Sequence, residues 1–341
     1  MVYLWLIPAV AVLSCVLTAA LRRYALARSI IDIPNARSSH TIPTPRGGGV
    51  AIVVAFIVAL PVFGVLELVP WQQLAGIGGA GALVAIIGFM DDHGHIAARW
   101  RLLGHFGASI WALILIGGFP SITAFGVSIN LHWFGHALAV IYLVWLLNLY
   151  NFMDGIDGLA SVEAVSACLC ICLLYWLSDA TTLIWGPLTL AVAVASFLYW
   201  NFPPAKIFMG DAGSGFLGIA LGVLSLQAAW NSSNLFWAWL ILLGVFIVDA
   251  TLTLMRRLLR GDRVYEAHRS HAYQFASRRF GKHLPVTLAV GAINLFWLFP
   301  IAYSVTQLGL DGAAGVLIAY VPLIVLALIF RAGQLEVPAA A

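Results

Sequence analysis

The sequence predicts an all-α, polytopic membrane protein with about eleven transmembrane helices. Of its 341 residues, 62% are hydrophobic and only 9% are charged. Soluble domains carry about 25% charged residues, so this composition excludes a soluble enzyme, a disordered chain and a nucleic-acid-binding module. The second observation is a series of long apolar runs, since a helix of about 20 residues crosses the hydrocarbon of a bilayer.

Polar or Gly/Pro-containing segments separate these runs and define the predicted spans. Within hydrocarbon, a single segment can satisfy its backbone hydrogen bonds only as a helix. In chain order the spans cover residues 2–21, 48–66, 73–90, 103–119, 132–149, 158–177, 183–200, 212–229, 235–255, 285–305 and 313–330.

The basic residues predict the sidedness of the chain. With the N-terminus outside, the inner segments are 22–47, 91–102, 150–157, 201–211, 256–284 and 331–341, and they contain all 17 Lys and Arg residues. Segregation of this kind is typical of cytoplasmic loops. We therefore expect one integral-membrane domain, residues 1–341, with its C-terminus in the cytoplasm.

Five of the 14 acidic residues lie at the inner ends of predicted spans: Asp91, Asp92, Asp154, Asp157 and Asp211. Carboxylates that come from three segments and share one side of the membrane indicate a common site. The adjacent carboxylates of Asp91 and Asp92 repel each other, which favours a general base or a group linked to a metal. The alternative is a solvated helix end.

The segment from Asn148 to Gly158 places Asn148, Asn151 and Asp154 at intervals of three residues, and Asp157 follows at the same interval. In a helix these oxygen-bearing side chains would share one face. Such ligands suit Mg²⁺ or Mn²⁺ better than zinc. The alternative is a polar cap for the helix that follows.

Two further segments indicate an anionic ligand. Residues 201–215 are glycine-rich and lead into a helix, whose N-terminus attracts anions, although small-residue helix packing is an alternative. The inner loop 256–284 carries eight basic residues together with His268, His271 and His283. Such a loop can bind anionic membrane lipid or a nucleotide diphosphate. Together these features favour phosphoryl transfer at the membrane surface.

These motifs, in this order, resemble the polyprenyl-phosphate N-acetylhexosamine-1-phosphate transferases of the MraY/WecA type, glycosyltransferase family 4. The overall pattern is closest to the WbpL-type enzymes that initiate O-antigen synthesis. The ordered set is specific, although each motif alone is weak. It comprises Asp32-Ile33-Pro34-Asn35, Pro43 to Gly49, Asp91-Asp92, Asn151 to Gly158, Phe208-Met209-Gly210-Asp211 and His268 to His271.

The resemblance implies that N-acetylhexosamine 1-phosphate passes from a UDP-sugar to undecaprenyl phosphate, with release of UMP. It also implies dependence on Mg²⁺, or Mn²⁺, a homodimer, and a bacterial inner membrane with the N-terminus periplasmic and the site facing the cytoplasm. UDP-N-acetylfucosamine is the favoured donor and UDP-N-acetylglucosamine the next. Because His268-Arg269-Ser270-His271 lacks the triple histidine of the pentapeptide translocases, a muramoyl-pentapeptide substrate is disfavoured.

The resemblance also assigns residue roles. The proposed catalytic acids are Asp91, Asp92 and Asp154, and the metal ligands are Asp211 and Asp157. The residues implied to bind the nucleotide sugar are Asn151, Asn201, Phe208, His268, Arg269 and His271. We further expect Arg46, Arg101 and Lys206 to contact the lipid phosphate or the diphosphate.

The rival interpretation is a multi-pass transporter or lipid flippase with an acidic site on the cytoplasmic side. Transporters place ionisable groups near the middle of the bilayer, and only Glu163 and Asp249 are candidates for that position. Asp249 could instead support the loop that follows the ninth span.

Overall fold

The computed structural model describes residues 5–34, 39–94, 96–262 and 268–335, and Asn35 of the first motif lies outside these ranges. The described residues are predominantly helical, which agrees with the predicted class. Their α-helices are α1 (Leu6–Ala27), α2 (Val50–Val65), α3 (Trp71–Gly94), α4 (Ala98–Leu115), α5 (His132–Met153), α6 (Leu159–Leu177), α7 (Trp185–Asn201), α8 (Asp211–Asn231), α9 (Ser233–Leu242), α10 (Gly244–Arg260), α11 (Ala272–Phe280), α12 (Leu284–Ile293), α13 (Phe299–Gln307) and α14 (Gly312–Ile329).

Two small antiparallel hairpins depart from the all-α prediction. Strands β1 (Ile31–Asp32) and β2 (Thr44–Pro45) pair before α2, and strands β3 (Ile122–Ala124) and β4 (Val127–Ile129) pair between α4 and α5. Strands of two or three residues are too short for an alternating pattern to be visible in the sequence. The second hairpin turns at Phe125–Gly126, where both residues have positive φ as a tight two-residue turn requires.

The helices confirm a multi-pass membrane protein. Among the described residues, eight segments are long and apolar enough to cross a membrane: α1, α3, α5, α6, α7 with its preceding 3₁₀ turn (Thr181–Ile184), α8, α12 continued through a π-helical turn (Asn294–Leu298) into α13, and α14. The pair α9–α10 forms a further candidate that bends by 68°. Because α2 and α4 also coincide with predicted spans, every predicted span has a helix; the count of eleven and the sidedness stay predictions.

Helix α8 lies at the centre of the molecule, since the whole of its apolar stretch is buried. Its small residues allow α5 to approach closely. A Cβ atom on Gly218 would lie 2.6 Å from the Cα atom of Leu147 and 2.7 Å from the carbonyl oxygen of Leu146. The small-residue packing that was an alternative for this stretch of sequence is therefore real, and it fixes α8 against α5.

The position of α4 can be tested through its two ends. In a variant without the four native cysteines, Ala97→Cys lies before α4 and Phe125→Cys lies in the β3–β4 turn. If α4 crosses the membrane with the predicted sidedness, a membrane-impermeant maleimide should label Phe125→Cys in intact cells and Ala97→Cys only after permeabilisation. Labelling of both positions in intact cells would contradict a crossing at α4.

Candidate active site

The structure brings together the carboxylates that the sequence predicts to share a site. Asp91 and Asp92 lie in the last turn of α3, and Asp211 is the first residue of α8. Arg46 Nη2 lies 2.8 Å from Asp92 Oδ1 and 2.6 Å from Asp211 Oδ1. Arg101 Nη1 forms an ion pair with Asp91 and lies 3.8 Å from Asp211 Oδ2. Two guanidinium groups thus tie the end of α3 to the start of α8.

The start of α8 is defined by Asp92. Its carboxylate accepts the backbone N–H groups of Asp211 at 3.2 Å and Ala212 at 3.4 Å. These are N–H groups that a helix leaves without an internal partner, and a carboxylate there also interacts favourably with the helix dipole. Gly210 precedes them with φ of 79°, and a Cβ on it would lie 2.8 Å from Asp92 Oδ2. Glycine is therefore required at this position.

Backbone pairing places Arg46 in the site. The N–H of Phe208 donates to the carbonyl of Pro45 at 2.8 Å, and the N–H of Gly48 donates to the carbonyl of Phe208 at 2.9 Å. Gly47, next to Arg46, has φ of 95°, a conformation that glycine adopts easily. The motif from Pro43 to Gly49 thus pairs with the motif from Phe208 to Asp211, and this pairing brings Arg46 to Asp211.

Asn201 joins two walls of the site. It is 3% exposed, its Oδ1 accepts the N–H of Gly158 at 3.0 Å, and its Nδ2 donates to the carbonyl of Ile207 at 3.1 Å. The amide therefore holds the segment that carries Asp154 and Asp157 against the segment that leads to Asp211.

Asp157 is held by a residue that the sequence did not assign to the site. His283 Nδ1 lies 3.2 Å from Asp157 Oδ1, and His283 Nε2 lies 2.9 Å from the carbonyl oxygen of Ser39. Burial alone would lower the pKa of His283, but its contacts with Asp157 and Ser39 raise it above its ordinary value. Since His283 is far from Asp157 in sequence, no spacing pattern could have linked them.

Asp154 lies in the same segment, and within the part of the chain that the structure describes it forms no ion pair with a basic side chain. Burial raises the pKa of its carboxyl well above the usual range; Arg46 opposes this rise, whereas the carboxylates of Asp211, Asp92 and Asp157 add to it. Asp154 is thus the acidic group of the site that most readily holds a proton at neutral pH.

Two cavities meet at the carboxylate cluster. The apolar cavity, about 380 Å³, has Asp91, Arg101 and His105 on walls that are otherwise mainly apolar residues of α3, α4 and α5. The polar cavity, about 240 Å³, is lined mainly by polar and charged residues: Asp32, Ser39, His40, Arg46, Asp154, Asp157, Asn201, Phe208, Gln274 and His283, together with residues adjacent to Asp154 and Asp211 in the chain. Asn151 and Asp211 line both cavities.

Some predicted site residues lie outside these walls. Asp92 is buried behind Asp211, and Lys206 lies over the rings of Tyr199 and Trp200, 4.9 and 5.7 Å from their centroids. Neither residue is among those lining the two cavities. Their predicted roles in catalysis and phosphate contact stay predictions.

The segment His268–His271 lies beside the polar cavity and does not line it. His271 is 2% exposed and its Nδ1 lies 3.4 Å from Asp249 Oδ1, while its ring stacks on that of His268 with centroids 4.9 Å apart. Burial, followed by the charges of His271 and Arg257, lowers the pKa of His268 to about 3. The predicted contacts of His268, Arg269 and His271 with a nucleotide sugar stay predictions.

The donor set suits a hard divalent cation, although it is not a closed cage. In residues 5–34, 39–94, 96–262 and 268–335, no three His, Cys, Asp or Glu side chains are grouped as metal ligands. Mg²⁺ commonly binds through one or two carboxylates and completes its shell with water and substrate phosphates. Asp211, which lines both cavities, and Asp157, which lines the polar cavity, supply carboxylate oxygens of the kind that such a cation binds.

Residues 74–229, from α3 to α8, match the family model described as glycosyl transferase family 4. The chain is similar to a probable undecaprenyl-phosphate N-acetylglucosaminyl 1-phosphate transferase of Bacillus subtilis (27% identity over 76% of this chain and 72% of the relative). It is also similar to the undecaprenyl-phosphate alpha-N-acetylglucosaminyl 1-phosphate transferase of Thermotoga maritima (25% identity over 84% of this chain and 86% of the relative). A third relative is a decaprenyl-phosphate N-acetylglucosaminephosphotransferase of Mycobacterium tuberculosis (27% identity over 90% of this chain and 85% of the relative).

Replacement of the buried amide should destabilise the site. We expect Asn201→Ala to lower the free energy of unfolding by about 2 kcal/mol, because the N–H of Gly158 and the carbonyl of Ile207 lose their partner. The change is measured as a shift in Tm of the purified protein. The matched control is Asn148→Ala, whose amide donates only to the carbonyl of Val144 within its own helix. Equal shifts for both variants would contradict the bridging role of Asn201.

Proposed function

The chain belongs to the polyprenyl-phosphate N-acetylhexosamine-1-phosphate transferases of glycosyl transferase family 4, and we propose on that premise that it transfers N-acetylhexosamine 1-phosphate from a UDP-sugar to undecaprenyl phosphate. The relatives described above are named for undecaprenyl or decaprenyl phosphate as acceptor and for N-acetylglucosamine 1-phosphate as the transferred group. UMP is the second product.

The observation that carries this proposal is the meeting of two unlike cavities at one carboxylate. A polyprenyl chain is apolar, and the apolar cavity offers it a path that ends at charged groups. A nucleotide sugar is polar, and the polar cavity offers carboxylates, amides and the ring of Phe208. Because Asn151 and Asp211 line both cavities, the reacting phosphates of the two substrates can meet there.

In this reaction an oxygen of the lipid phosphate attacks the β-phosphorus of the UDP-sugar. A new P–O bond forms, and the bond from that phosphorus to the bridging oxygen breaks. The bridging oxygen leaves with UMP, and the lipid keeps the sugar on a diphosphate. Phosphoryl transfer of this type depends mainly on positioning and on neutralisation of negative charge.

The lipid phosphate would be held where Arg101 and Asp91 enter the apolar cavity. Arg101 supplies the positive charge, and Asp91 orients it while its other oxygen accepts the N–H of Ile96 at 2.8 Å. A phosphate monoester with a second pKa of about 6 is already mostly deprotonated at neutral pH. Proton removal by Asp91 would therefore contribute little to the rate. Its larger contribution is to position Arg101.

The nucleotide sugar would occupy the polar cavity. Phe208, whose ring has an edge contact with His40 at 4.8 Å between centroids, is the aromatic surface for the uracil. Asp154, which holds a proton readily, can donate a hydrogen bond to a phosphate oxygen where an ionised carboxylate would repel it. Arg46 lies in the same cavity and offsets the negative charge of the diphosphate.

A divalent cation fits this arrangement. Asp211 would hold Mg²⁺ or Mn²⁺, and the metal would supply positive charge that neutralises the diphosphate when bound. Asp157, held by His283 and by the N–H of Ala205 at 3.0 Å, is the further predicted ligand on the opposite segment.

The finer assignments extend the same proposal. The site faces the cytoplasm of the bacterial inner membrane, which agrees with the placement of the basic residues. The enzyme acts as a homodimer and begins a cell-envelope glycan such as O-antigen. The donor is UDP-N-acetylfucosamine, which the motif pattern favours, or UDP-N-acetylglucosamine, the sugar in the names of the relatives.

Transport has less support, because both intramembrane carboxylates have structural contacts. Asp249 accepts the backbone N–H groups of Ala272 at 2.9 Å and Tyr273 at 3.0 Å, which is the start of α11. Glu163 accepts a hydrogen bond from Asn294 at 2.7 Å. The expectation that Asp249 supports the loop after the ninth span is therefore confirmed.

The first test is turnover by the purified protein. With Mg²⁺, undecaprenyl phosphate and a panel of UDP-N-acetylhexosamines, we expect release of UMP and formation of the lipid-linked sugar. Asp211→Asn should lower kcat by about 100-fold or more, because the carboxylate at the meeting point of the cavities loses its charge. Removal of divalent cations with a chelator should abolish turnover, and added Mn²⁺ should restore it.

The matched control is Asp179→Asn, an exposed aspartate in the loop after α6. It should leave turnover unchanged. The proposed function would be wrong if no UDP-sugar on the panel is consumed, and the role of Asp211 would be wrong if Asp211→Asn turns over like the control.

The two cavities predict that their residues affect different substrates. Arg101 lines only the apolar cavity, and Phe208 lines only the polar cavity. Arg101→Gln should raise the KM for undecaprenyl phosphate about tenfold and leave that for the UDP-sugar unchanged. Phe208→Leu should raise the KM for the UDP-sugar and leave that for undecaprenyl phosphate unchanged, because a stacking surface for the base is lost. Steady-state kinetics with each substrate varied in turn would contradict the assignment if both variants changed the same KM.

A further inference from the structure

Glu163 is a fully buried carboxyl group that the proposed chemistry does not use. It lies in α6 and is 0% exposed. Its partner Asn294 is also 0% exposed and is the first residue of the π-helical turn between α12 and α13. Asn294 Nδ2 donates to Glu163 Oε2 and to Ser166 Oγ, both at 2.7 Å. This contact links α6 to the helix that follows His283.

Both helices that this contact joins lead directly to the site. α6 begins after Asp157, and α12 begins after His283, the partner of Asp157. A change at Glu163 would therefore be transmitted to the Asp157–His283 pair.

The unmatched atoms of this contact indicate that the carboxyl group carries a proton. Among the described residues, Glu163 Oε1 and Asn294 Oδ1 are buried side-chain oxygens without a hydrogen-bond partner. Both would be acceptors if Glu163 were ionised. A proton on Glu163 supplies a donor and also removes the cost of a charge inside the membrane.

We propose that Glu163, as the neutral acid, is a positioning residue that joins α6 to the end of α12 and thereby holds the Asp157–His283 pair in the geometry that the reaction needs. The kinetic part of its test rests on the proposed function.

The experiment compares Glu163→Gln with Glu163→Leu in the purified full chain. The Gln side chain is neutral, keeps the shape of the acid and can both accept and donate hydrogen bonds. The kcat and KM values of Glu163→Gln should therefore stay within about threefold of those of the natural protein. Leu cannot accept the hydrogen bond from Asn294. Its kcat should fall about 10-fold or more, because small misplacements behind a site are costly. Its KM for the UDP-sugar should rise more than its KM for undecaprenyl phosphate.

The matched control is Tyr175→Phe. Tyr175 is also buried in α6, and its hydroxyl accepts a hydrogen bond from Trp239 Nε1 at 2.7 Å, near the opposite end of the helix. This variant loses a buried hydrogen bond away from the site, so its KM values should not change. Infrared difference spectra between the natural protein and Glu163→Gln should contain a protonated carboxyl band.

Hydrogen exchange gives a readout that does not need turnover. The amides of residues 157–163 and 286–294 should exchange faster in Glu163→Leu than in Glu163→Gln or Tyr175→Phe. If Glu163→Leu does not fold, Asn294→Ala should produce the same pattern from the other side of the contact. If the natural protein consumes no UDP-sugar, the proposed function fails, and the exchange data still decide the positioning role.

The positioning role would be overturned by natural exchange and natural kinetic constants in Glu163→Leu. It would also be overturned if Glu163→Gln behaved like Glu163→Leu, since a neutral isostere would then not replace the acid.

Discussion

The site depends on the start of α8, where a buried carboxylate and a guanidinium hold Asp211 in place. Asp92 accepts the free N–H groups at this helix end, and Arg46 balances the charges of Asp92 and Asp211. Two carboxylates so close together repel each other unless a cation lies between them. This contact joins α3, α8 and the segment around Arg46, and the remaining site residues are arranged around it.

The location of Asp211 explains how one enzyme can bring together substrates of opposite solubility. Helix α8 lies at the centre of the bundle, so its first residue can be reached from both cavities. On one side, apolar residues of α3, α4 and α5 suit a polyprenyl chain. On the other side, the polar segments before α6 and α8 suit a nucleotide sugar. Only the charged ends of the two substrates need to meet.

Two helices near the site are interrupted within the bundle, and both interruptions place polar groups inside the protein. The bend between α9 and α10 and the π-helical turn after α12 leave polar groups inside the protein, and such groups need partners in hydrocarbon. At the π-helical turn Asn294 donates a hydrogen bond to Glu163, and Asp249 satisfies the start of α11. The carboxylates that first looked like transport residues thus have a structural use.

The sequence by itself determined that the chain is a helical multi-pass membrane protein and that five carboxylates lie at the ends of apolar runs, because the length of an apolar run and the residues that end it are local properties. Only the tertiary structure decided which groups meet. It turned Asp92 toward the N-terminus of α8, turned His271 toward Asp249, and brought His283 to Asp157 across 126 residues of sequence. Such pairings depend on how helices pack side by side, and a periodic pattern along one helix carries no record of its neighbour.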